Sequence, residues 1–442
     1  NAVIHTSYEK ALDEAAALEA DPTDRADAPF RGLPMLLKDL WPHSAGDPFH
    51  QGNKGLKNAG YVHPVDSDLV RRYREAGFVI LGRTNTPEFG LSATTEPEAY
   101  GPTHNPWSLD HGAGGSSGGA AAAVAAGMVP AANASDGGGS IRIPAAMCGL
   151  VGLKPSRGRL PMGPSQDEWG NSVQHVVSHT VRDTAQILDA TAHPTLGDGV
   201  VAPRHGQPYA VSSQQDPGRL RIGFLTESGR PGVDVDAEVA AATRAAAALL
   251  GSLGHDLSES HPEAIDQQIY RERMRPAMAA GAGVAVAHLA DLLGREVTAD
   301  DVEIGTWTMA QAAGQIPAIA ALRAQGAAME FRRHMAQWWE DGFDLLLTPT
   351  CAQPAPVLGA MSPTPEEPMR MSTGSIPFAV FTSMFNTTGQ PGISLPLART
   401  DSGLPIGMQL VAAYGREDLL LQVANQLEGE VRWAENRAPI HP

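Results

Sequence analysis

Gly114-Gly115-Ser116-Ser117-Gly118-Gly119 and Gly137-Gly138-Gly139-Ser140 are the two stretches that decide the fold and chemistry of this chain. Ser116 and Ser140 stand 24 positions apart, and the alanine-rich residues 120–126 between them predict a short buried helix. Glycine lets the backbone approach a reacting group closely and adopt a positive φ. Two serine hydroxyls, each within a glycine-rich stretch, predict a nucleophile and a second residue that assists it.

Composition limits the function classes. The 442 residues can bury a large core, and their net charge of −17, with no Lys/Arg-rich run, argues against nucleic-acid binding. Cys148 and Cys351 are too few for a disulfide framework, so we expect a cytoplasmic protein. No apolar run reaches the roughly 18 residues of a bilayer span, so no membrane contact is expected. The chain begins at Asn1 without a methionine, which suggests a missing N-terminal piece.

Helical and strand patterns alternate along most of the chain. Helices are predicted over 8–20, 65–76, 181–190, 235–253 and 417–427, and strands over 35–40, 78–82, 128–132, 221–225, 343–350, 392–396 and 407–411. Such alternation predicts an α/β fold with a central sheet. Residues 262–340 are mostly helical in pattern, and we interpret them as a substrate-facing insert.

The order of several motifs resembles the amidase signature family. The matching stretches are Leu33-Pro34 with Lys38-Asp39, the two glycine-framed serines, Asn85-Thr86-Pro87-Glu88-Phe89, Asn105-Pro106-Trp107, Cys148 to Ser156, and Gly403 to Gln409. The resemblance covers residues 29–430 and is weakest between 262 and 335. It implies one amidase domain over residues 1–442, with a mixed β-sheet covered by helices on both faces. Family members are often dimers, so a homodimer is one expectation.

The family's catalytic set maps onto Ser140 as nucleophile, Ser116 as bridging serine on a cis Gly115–Ser116 peptide, and Lys38 as base. A serine hydroxyl is a weak nucleophile until a neighbour takes its proton, and Ser–Lys arrangements are a known variant of the triad. Lys38 must be neutral to accept that proton, and burial in an apolar strand would lower its pKa. Asp39 is expected on the opposite face of the strand, since adjacent side chains alternate. No cofactor and no metal are expected.

The second glycine stretch offers an oxyanion hole. Backbone N–H groups of Gly137, Gly138 and Gly139 can point at the tetrahedral intermediate without side-chain hindrance. Ser117, Asp136 and Arg142 are expected to hold this loop. By resemblance, Gly90 and Ser92 line the substrate pocket. The family usually carries a side chain where this chain has Gly137, a departure that could widen the acyl pocket.

The substrate is a small-molecule amide by resemblance. Residues 94–101, 298–303 and 411–418 are similar to the 6-aminohexanoate cyclic dimer hydrolases, which favours a linear or cyclic non-peptide carboxamide. Carbamates, aryl amides and esters pass through a similar acyl-enzyme and stay open as alternatives.

Three other classes compete with this reading. Gly114-x-Ser116-x-Gly118 formally matches the nucleophile elbow of α/β-hydrolases, but no hydrophobic strand precedes it. His175 and His179 have a helical spacing without the glutamate of zinc proteases, so packing histidines are expected. The amidotransferase subunits of the family usually carry Gln where this chain has Ile143, which favours a stand-alone amidase.

Overall fold

A mixed sheet of eleven strands forms the centre of the computed structural model, which describes residues 1–164 and 170–441. The strands of the chain are β1 (Val3–Thr6), β2 (Pro34–Lys38), β3 (Val79–Thr84), β4 (His104–Asn105), β5 (Ser108–Gly112), β6 (Ala131–Asp136), β7 (Val151–Lys154), β8 (Val173–Ser178), β9 (Arg221–Phe224), β10 (Asp256–Glu259), β11 (Leu345–Pro349), β12 (Gly392–Arg399) and β13 (Pro405–Ala412). Their order in the sheet is β1-β3-β2-β6-β8-β7-β12-β13-β11-β9-β10, and β4 and β5 pair separately.

Helices lie along the whole chain. They are α1 (Tyr8–Ala20), α2 (Lys54–Asn58), α3 (Asp68–Glu75), α4 (Gly118–Ala125), α5 (Arg142–Cys148), α6 (Val181–Thr191), α7 (Tyr209–Ser212), α8 (Ala237–Ser252), α9 (Gln268–Leu293), α10 (Ile304–Ala313), α11 (Ala318–Glu340), α12 (Arg370–Gly374), α13 (Ile376–Ala379), α14 (Ser383–Thr388) and α15 (Glu417–Val431). Short 3-10 turns occur at Glu88–Gly90, Glu263–Ile265, Ala299–Asp301 and Trp433–Glu435.

Both faces of the sheet are buried, as the alternation along β2 illustrates. Met35 and Leu37 pack into the large core under α3, α6, α8 and α15, whereas Leu36 packs into a second core with the alanines of α4. Successive side chains of a strand point to opposite faces, so helices cover this sheet on both sides. The α/β class and the two-sided helical cover that the sequence predicts are confirmed.

Strand direction brings two chain segments together at one edge of the sheet. β2 is parallel to β3 and to β6, with Leu36 opposite Ala132. The carboxyl ends of parallel strands meet at the same edge, so Lys38 at the end of β2 lies beside Ser135 and Asp136 at the end of β6. This edge carries the candidate site.

The sequence prediction differs from the structure at the start of β6 and in six strands that it did not include, namely β1, β4, β5, β7, β8 and β10. The strand predicted over 128–132 is wrong, because β6 begins at Ala131 and Met128 is exposed in the preceding turn. Pro130 has no N–H for the ladder, so the strand starts after it. Strand β8 was not predicted at all.

Helix α9 is long and apolar enough to be compared with a membrane span. Its most apolar 18-residue window has a mean hydropathy of 1.4 and is only 11% buried, so by length and composition alone it could cross a membrane. Alanine, valine and leucine raise the average even though His288 and Asp291 interrupt the apolar run. Helices of soluble proteins also pass this test, so it does not by itself place the chain in a membrane.

Candidate active site

Lys38 is the charged side chain at the centre of the site. It is fully buried, and its Nζ donates hydrogen bonds to Ser116 Oγ at 2.7 Å and to Ser135 Oγ at 2.9 Å. Burial lowers the pKa of Lys38 to about 7, although the nearby negative charge of Asp136 opposes the shift. A large fraction of Lys38 is therefore neutral near pH 7 and able to accept a proton from Ser116.

Asp39 points away from Lys38, as predicted for adjacent residues of a strand. Its carboxylate accepts hydrogen bonds from the N–H groups of His50 at 3.0 Å and Gly52 at 3.3 Å. Burial raises the pKa of Asp39 to about 6, and the Arg83 guanidinium opposes that rise. Asp39 thus holds the loop at residues 50–52 rather than pairing with the lysine.

The first glycine stretch is packed too tightly for side chains. A Cβ on Gly115 would lie 2.6 Å from the carbonyl oxygens of Ser92 and Thr94, and one on Gly114 would lie 2.8 Å from Pro144 Cα. The Gly115–Ser116 peptide is cis, the conformation that the resemblance implies. The contact with Pro144 places this loop against α5, the helix that follows Ser140.

Ser140 lies in the turn between β6 and α5 and is partly exposed. Over the residues that the structure describes, its hydroxyl makes no hydrogen bond, so Ser140 Oγ is not linked to Ser116 here. Catalytic hydrogen bonds are often long without substrate and tighten only in the complex. The structure therefore brings Lys38 and Ser116 into contact and leaves Ser140 in the adjoining turn.

Asp136 organises the glycine turn. Its Oδ1 accepts the N–H of Gly139 at 2.7 Å, and its Oδ2 accepts the N–H of Ile141 at 3.2 Å. The Thr382 hydroxyl donates to the Gly138 carbonyl at 2.6 Å from the other side. The N–H of Gly139 is therefore occupied, whereas over the described residues those of Gly137, Gly138 and Ser140 have no acceptor within the protein.

A buried ion pair anchors Asp136. Arg142 Nε and Nη2 donate to its two carboxylate oxygens at 2.9 Å each, and both side chains are fully buried. Burial alone would raise the pKa of Asp136, but the charge and hydrogen bonds of Arg142 hold it well below its usual range. Asn386 Nδ2 also donates to Asp136, and Arg142 Nη1 donates to Gln409 at 2.7 Å. Removing one partner of such a pair costs about 3–5 kcal/mol.

Ser117 and Ser135 join the two loops. The Ser117 hydroxyl donates to the Ser135 carbonyl at 3.2 Å and accepts the Ser135 N–H at 3.3 Å. This reciprocal pair fixes Ser135, whose own hydroxyl accepts the second hydrogen bond of Lys38. Sequence reasoning missed Ser135, and its only signal was its position directly before Asp136 in a buried strand.

Gly90 and Ser92 border the same site. Gly90 has φ of 72°, and a Cβ there would lie 3.0 Å from Ser116 Oγ. Ser92 lines a small cleft together with Thr94, Glu96 and Glu303. Both residues are close to Ser116, where a substrate pocket was predicted.

The two histidines with helical spacing are packing residues. His175 lies in β8 and its Nε2 bonds to the Thr184 carbonyl at 3.3 Å, while His179 Nε2 bonds to the Val124 carbonyl at 2.8 Å. In the ranges 1–164 and 170–441, no cluster of three or more His, Cys, Asp or Glu side chains is placed to hold a metal ion. Cys148 and Cys351 are buried free thiols.

The chain is similar to known amidases over its whole length. A family model described as Amidase matches residues 1–421. The 6-aminohexanoate-cyclic-dimer hydrolase of Paenarthrobacter ureafaciens is 43% identical over 100% of this chain and 90% of its own length. A solved structure of 6-aminohexanoate cyclic dimer hydrolase matches with a TM-score of 0.94 at 42% identity, covering 100% of this chain and 91% of that one. A bacterial aryl acylamidase of the amidase signature family matches with a TM-score of 0.84 at 25% identity, covering 98% and 90%.

Proposed function

The chain belongs to the amidase signature family and is a hydrolase of non-peptide carbon–nitrogen bonds, and we propose that it cleaves a small carboxamide through an acyl-enzyme on Ser140. Ser116 and Lys38 complete a Ser–cisSer–Lys triad. The observation that carries the proposal is the 2.7 Å hydrogen bond from the buried Lys38 Nζ to Ser116 Oγ. A lysine with a pKa of about 7 can take a proton through that hydroxyl at neutral pH.

The reaction follows from the roles of the groups. Ser140 Oγ attacks the amide carbon, its proton passes to Ser116, and the Ser116 proton passes to Lys38 Nζ. The carbonyl oxygen becomes an oxyanion, which the N–H groups of Gly137 and Gly138 stabilise. When the carbon–nitrogen bond breaks, the amine leaves with a proton returned through Ser116. Water then attacks the acyl carbon, and its proton passes through Ser116 to Lys38. The ester bond to Ser140 breaks, Ser140 Oγ regains a proton by the same route, and the acid is released.

A cyclic or linear aliphatic amide is the preferred substrate class. The relatives of highest identity described above act, by name, on a cyclic dimer, and they match over the whole of this chain. The aryl acylamidase shares the fold at lower identity, so aryl amides, carbamates and esters form the second candidate class. A cytoplasmic location and a homodimer stay predictions from the sequence.

Hydrolysis by the purified single chain tests the proposal. A panel of cyclic amides, linear amides, anilides and carbamates should identify an amide that is cleaved without ATP, partner subunits or added metal. Ser140→Ala should lose turnover, and a serine-directed phosphonate should add its mass to Ser140 in the wild type. Labelling of Ser116 instead would favour the nucleophile-elbow mechanism, and strict dependence on a partner subunit would favour an amidotransferase.

A further inference from the structure

Glu303 connects the helical insert to the loop beside the catalytic serines. It directly precedes α10, and its N–H donates to Glu88 Oε2 at 2.9 Å. Glu303 Oε1 in turn accepts the N–H of Glu98 at 2.9 Å. Glu88 begins the 3-10 turn that ends at Gly90, next to Ser116 Oγ. The helical insert thus places the carboxyl group of Glu303 at the edge of the candidate site.

The second carboxyl oxygen of Glu303 faces a cleft. Glu303 is only 5% exposed, and it lines the small cleft that Ser92 and Thr94 also line. The remaining walls include Pro87, Met361, Pro363 and Met371. Within the described part of the chain, Glu303 Oε2 has no hydrogen-bond partner. An unpartnered carboxyl oxygen on an otherwise buried side chain, in a cleft lined by both polar and apolar residues, is a position where a ligand can supply the missing hydrogen bond.

The charges around Glu303 keep its carboxyl group neutral. Burial and the neighbouring carboxylate of Glu88 raise the pKa of Glu303 to about 8, with Glu98 acting in the same direction. The opposing charge is Lys54, which is paired with Glu98 at 2.9 Å. Glu96, which lines the same cleft, accepts hydrogen bonds from Thr94 and Gly359 and so has its own partners. At neutral pH Glu303 therefore presents an O–H donor.

We propose that Glu303 is a specificity-determining residue that donates a hydrogen bond from Oε2–H to a second carbonyl oxygen of the substrate. The preferred substrate class is then the diamide, linear or cyclic, in which one amide is cleaved at Ser140 and the other is held by Glu303. Ser92 and Thr94 connect the two places, because their carbonyl oxygens lie against Gly115 and both residues line the cleft. This inference rests on the proposed function.

The test uses two amides with the same scissile bond, one carrying a second carbonyl group and the other a methylene at that place. Glu303→Ala should raise the KM of the diamide relative to that of the monoamide by about tenfold or more. Glu303→Gln keeps a donor that cannot ionise. In the wild type, the KM of the diamide should rise between pH 7 and 10 as Glu303 loses its proton, and in Glu303→Gln this rise should disappear.

Asp300→Asn is the matched control, since Asp300 is an exposed acid in the same insert. It should leave both KM values and their pH dependence unchanged. Equal effects of Glu303→Ala on the two substrates, with a lower melting temperature, would show a structural role and overturn the inference. If Glu303→Ala does not fold, a KM rise with pH that persists in Glu303→Gln overturns it as well. Failure of the wild type to cleave either amide, or full activity of Ser140→Ala, would instead count against the proposed function.

Discussion

The ionisation of Lys38 gives the sharpest test of the candidate site. A shift of its pKa from 10.5 to about 7 means that burial destabilises the ammonium form by roughly 5 kcal/mol relative to the neutral amine. If the neutral amine is the base, kcat/KM follows the neutral fraction. That fraction is about one half at pH 7, about 9% at pH 6 and about 1% at pH 5.

We therefore expect kcat/KM for a monoamide substrate, which has no second carbonyl group for Glu303 to bind, to rise about 100-fold from pH 5 to a plateau above about pH 8, with its midpoint near pH 7. The assay is initial-rate hydrolysis between pH 5 and 10, with stability checked at each pH. A lysine of ordinary pKa would give activity that still rises at pH 10. Lys38→Met should lose nearly all turnover.

Lys154 is a matched control for this experiment. It is also fully buried, burial and the charge of Arg142 lower its pKa to about 7, and its Nζ donates to the Pro155 carbonyl rather than to a catalytic serine. Lys154→Met should therefore keep the midpoint near pH 7. The reasoning is refuted if that midpoint vanishes in Lys154→Met, or if Lys38→Met retains wild-type turnover and the same profile.

Three further substitutions probe the surroundings of the triad. Ser135→Ala removes the second hydrogen-bond acceptor of Lys38, so kcat should fall about tenfold with little change in melting temperature. Arg142→Met leaves Asp136 charged and unpaired in the core, so urea denaturation should show a loss of about 3–5 kcal/mol in the free energy of unfolding. Gly139→Ala should lose most activity, because Gly139 has φ of 136° and the new Cβ would lie 2.3 Å from Thr382 Oγ1.

Each substitution has a control of its own. A second Asp136→Asn change should recover part of the stability lost in Arg142→Met, and no recovery would contradict the ion-pair argument. Thr382→Ala should not rescue Gly139→Ala, since the positive φ stays unfavourable for alanine. Wild-type kcat in Ser135→Ala would mean that Ser116 alone orients the lysine.

Local sequence predicts an element well where its start signal and periodicity agree. Helix α1 has the predicted bounds, and α6, which begins after the capping residue Thr180, extends the prediction by one residue. Strand β6 was placed too early because Pro130 was included in an apolar run. Strand β8 is fully buried, but His175 and other polar residues interrupt its apolar pattern, so its sequence did not indicate a strand.

The candidate site likewise combines residues that sequence motifs predict with residues that they do not predict. The motif residues Lys38, Ser116 and Ser140 can be read from the chain, and their roles stay proposals. Thr382 and Asn386, which hold the glycine turn, come from residues more than 240 positions further along the chain. Nothing in their local sequence indicates this contact, because it depends on how α14 packs against the end of β6.

The ordered motifs predicted the reaction class through their resemblance to the amidase signature family, and the glycine-framed serines and the lysine in an apolar strand are residue types that suit this chemistry. Only the tertiary structure decided that Lys38 has two hydroxyl partners and a pKa of about 7. It also decided that the N–H of Gly139 donates a hydrogen bond to Asp136 and that Glu303 lines the cleft. The physical reason is that a pKa or a hydrogen bond depends on neighbours in space and on the exclusion of water. Those neighbours come from strands and helices that are distant in sequence.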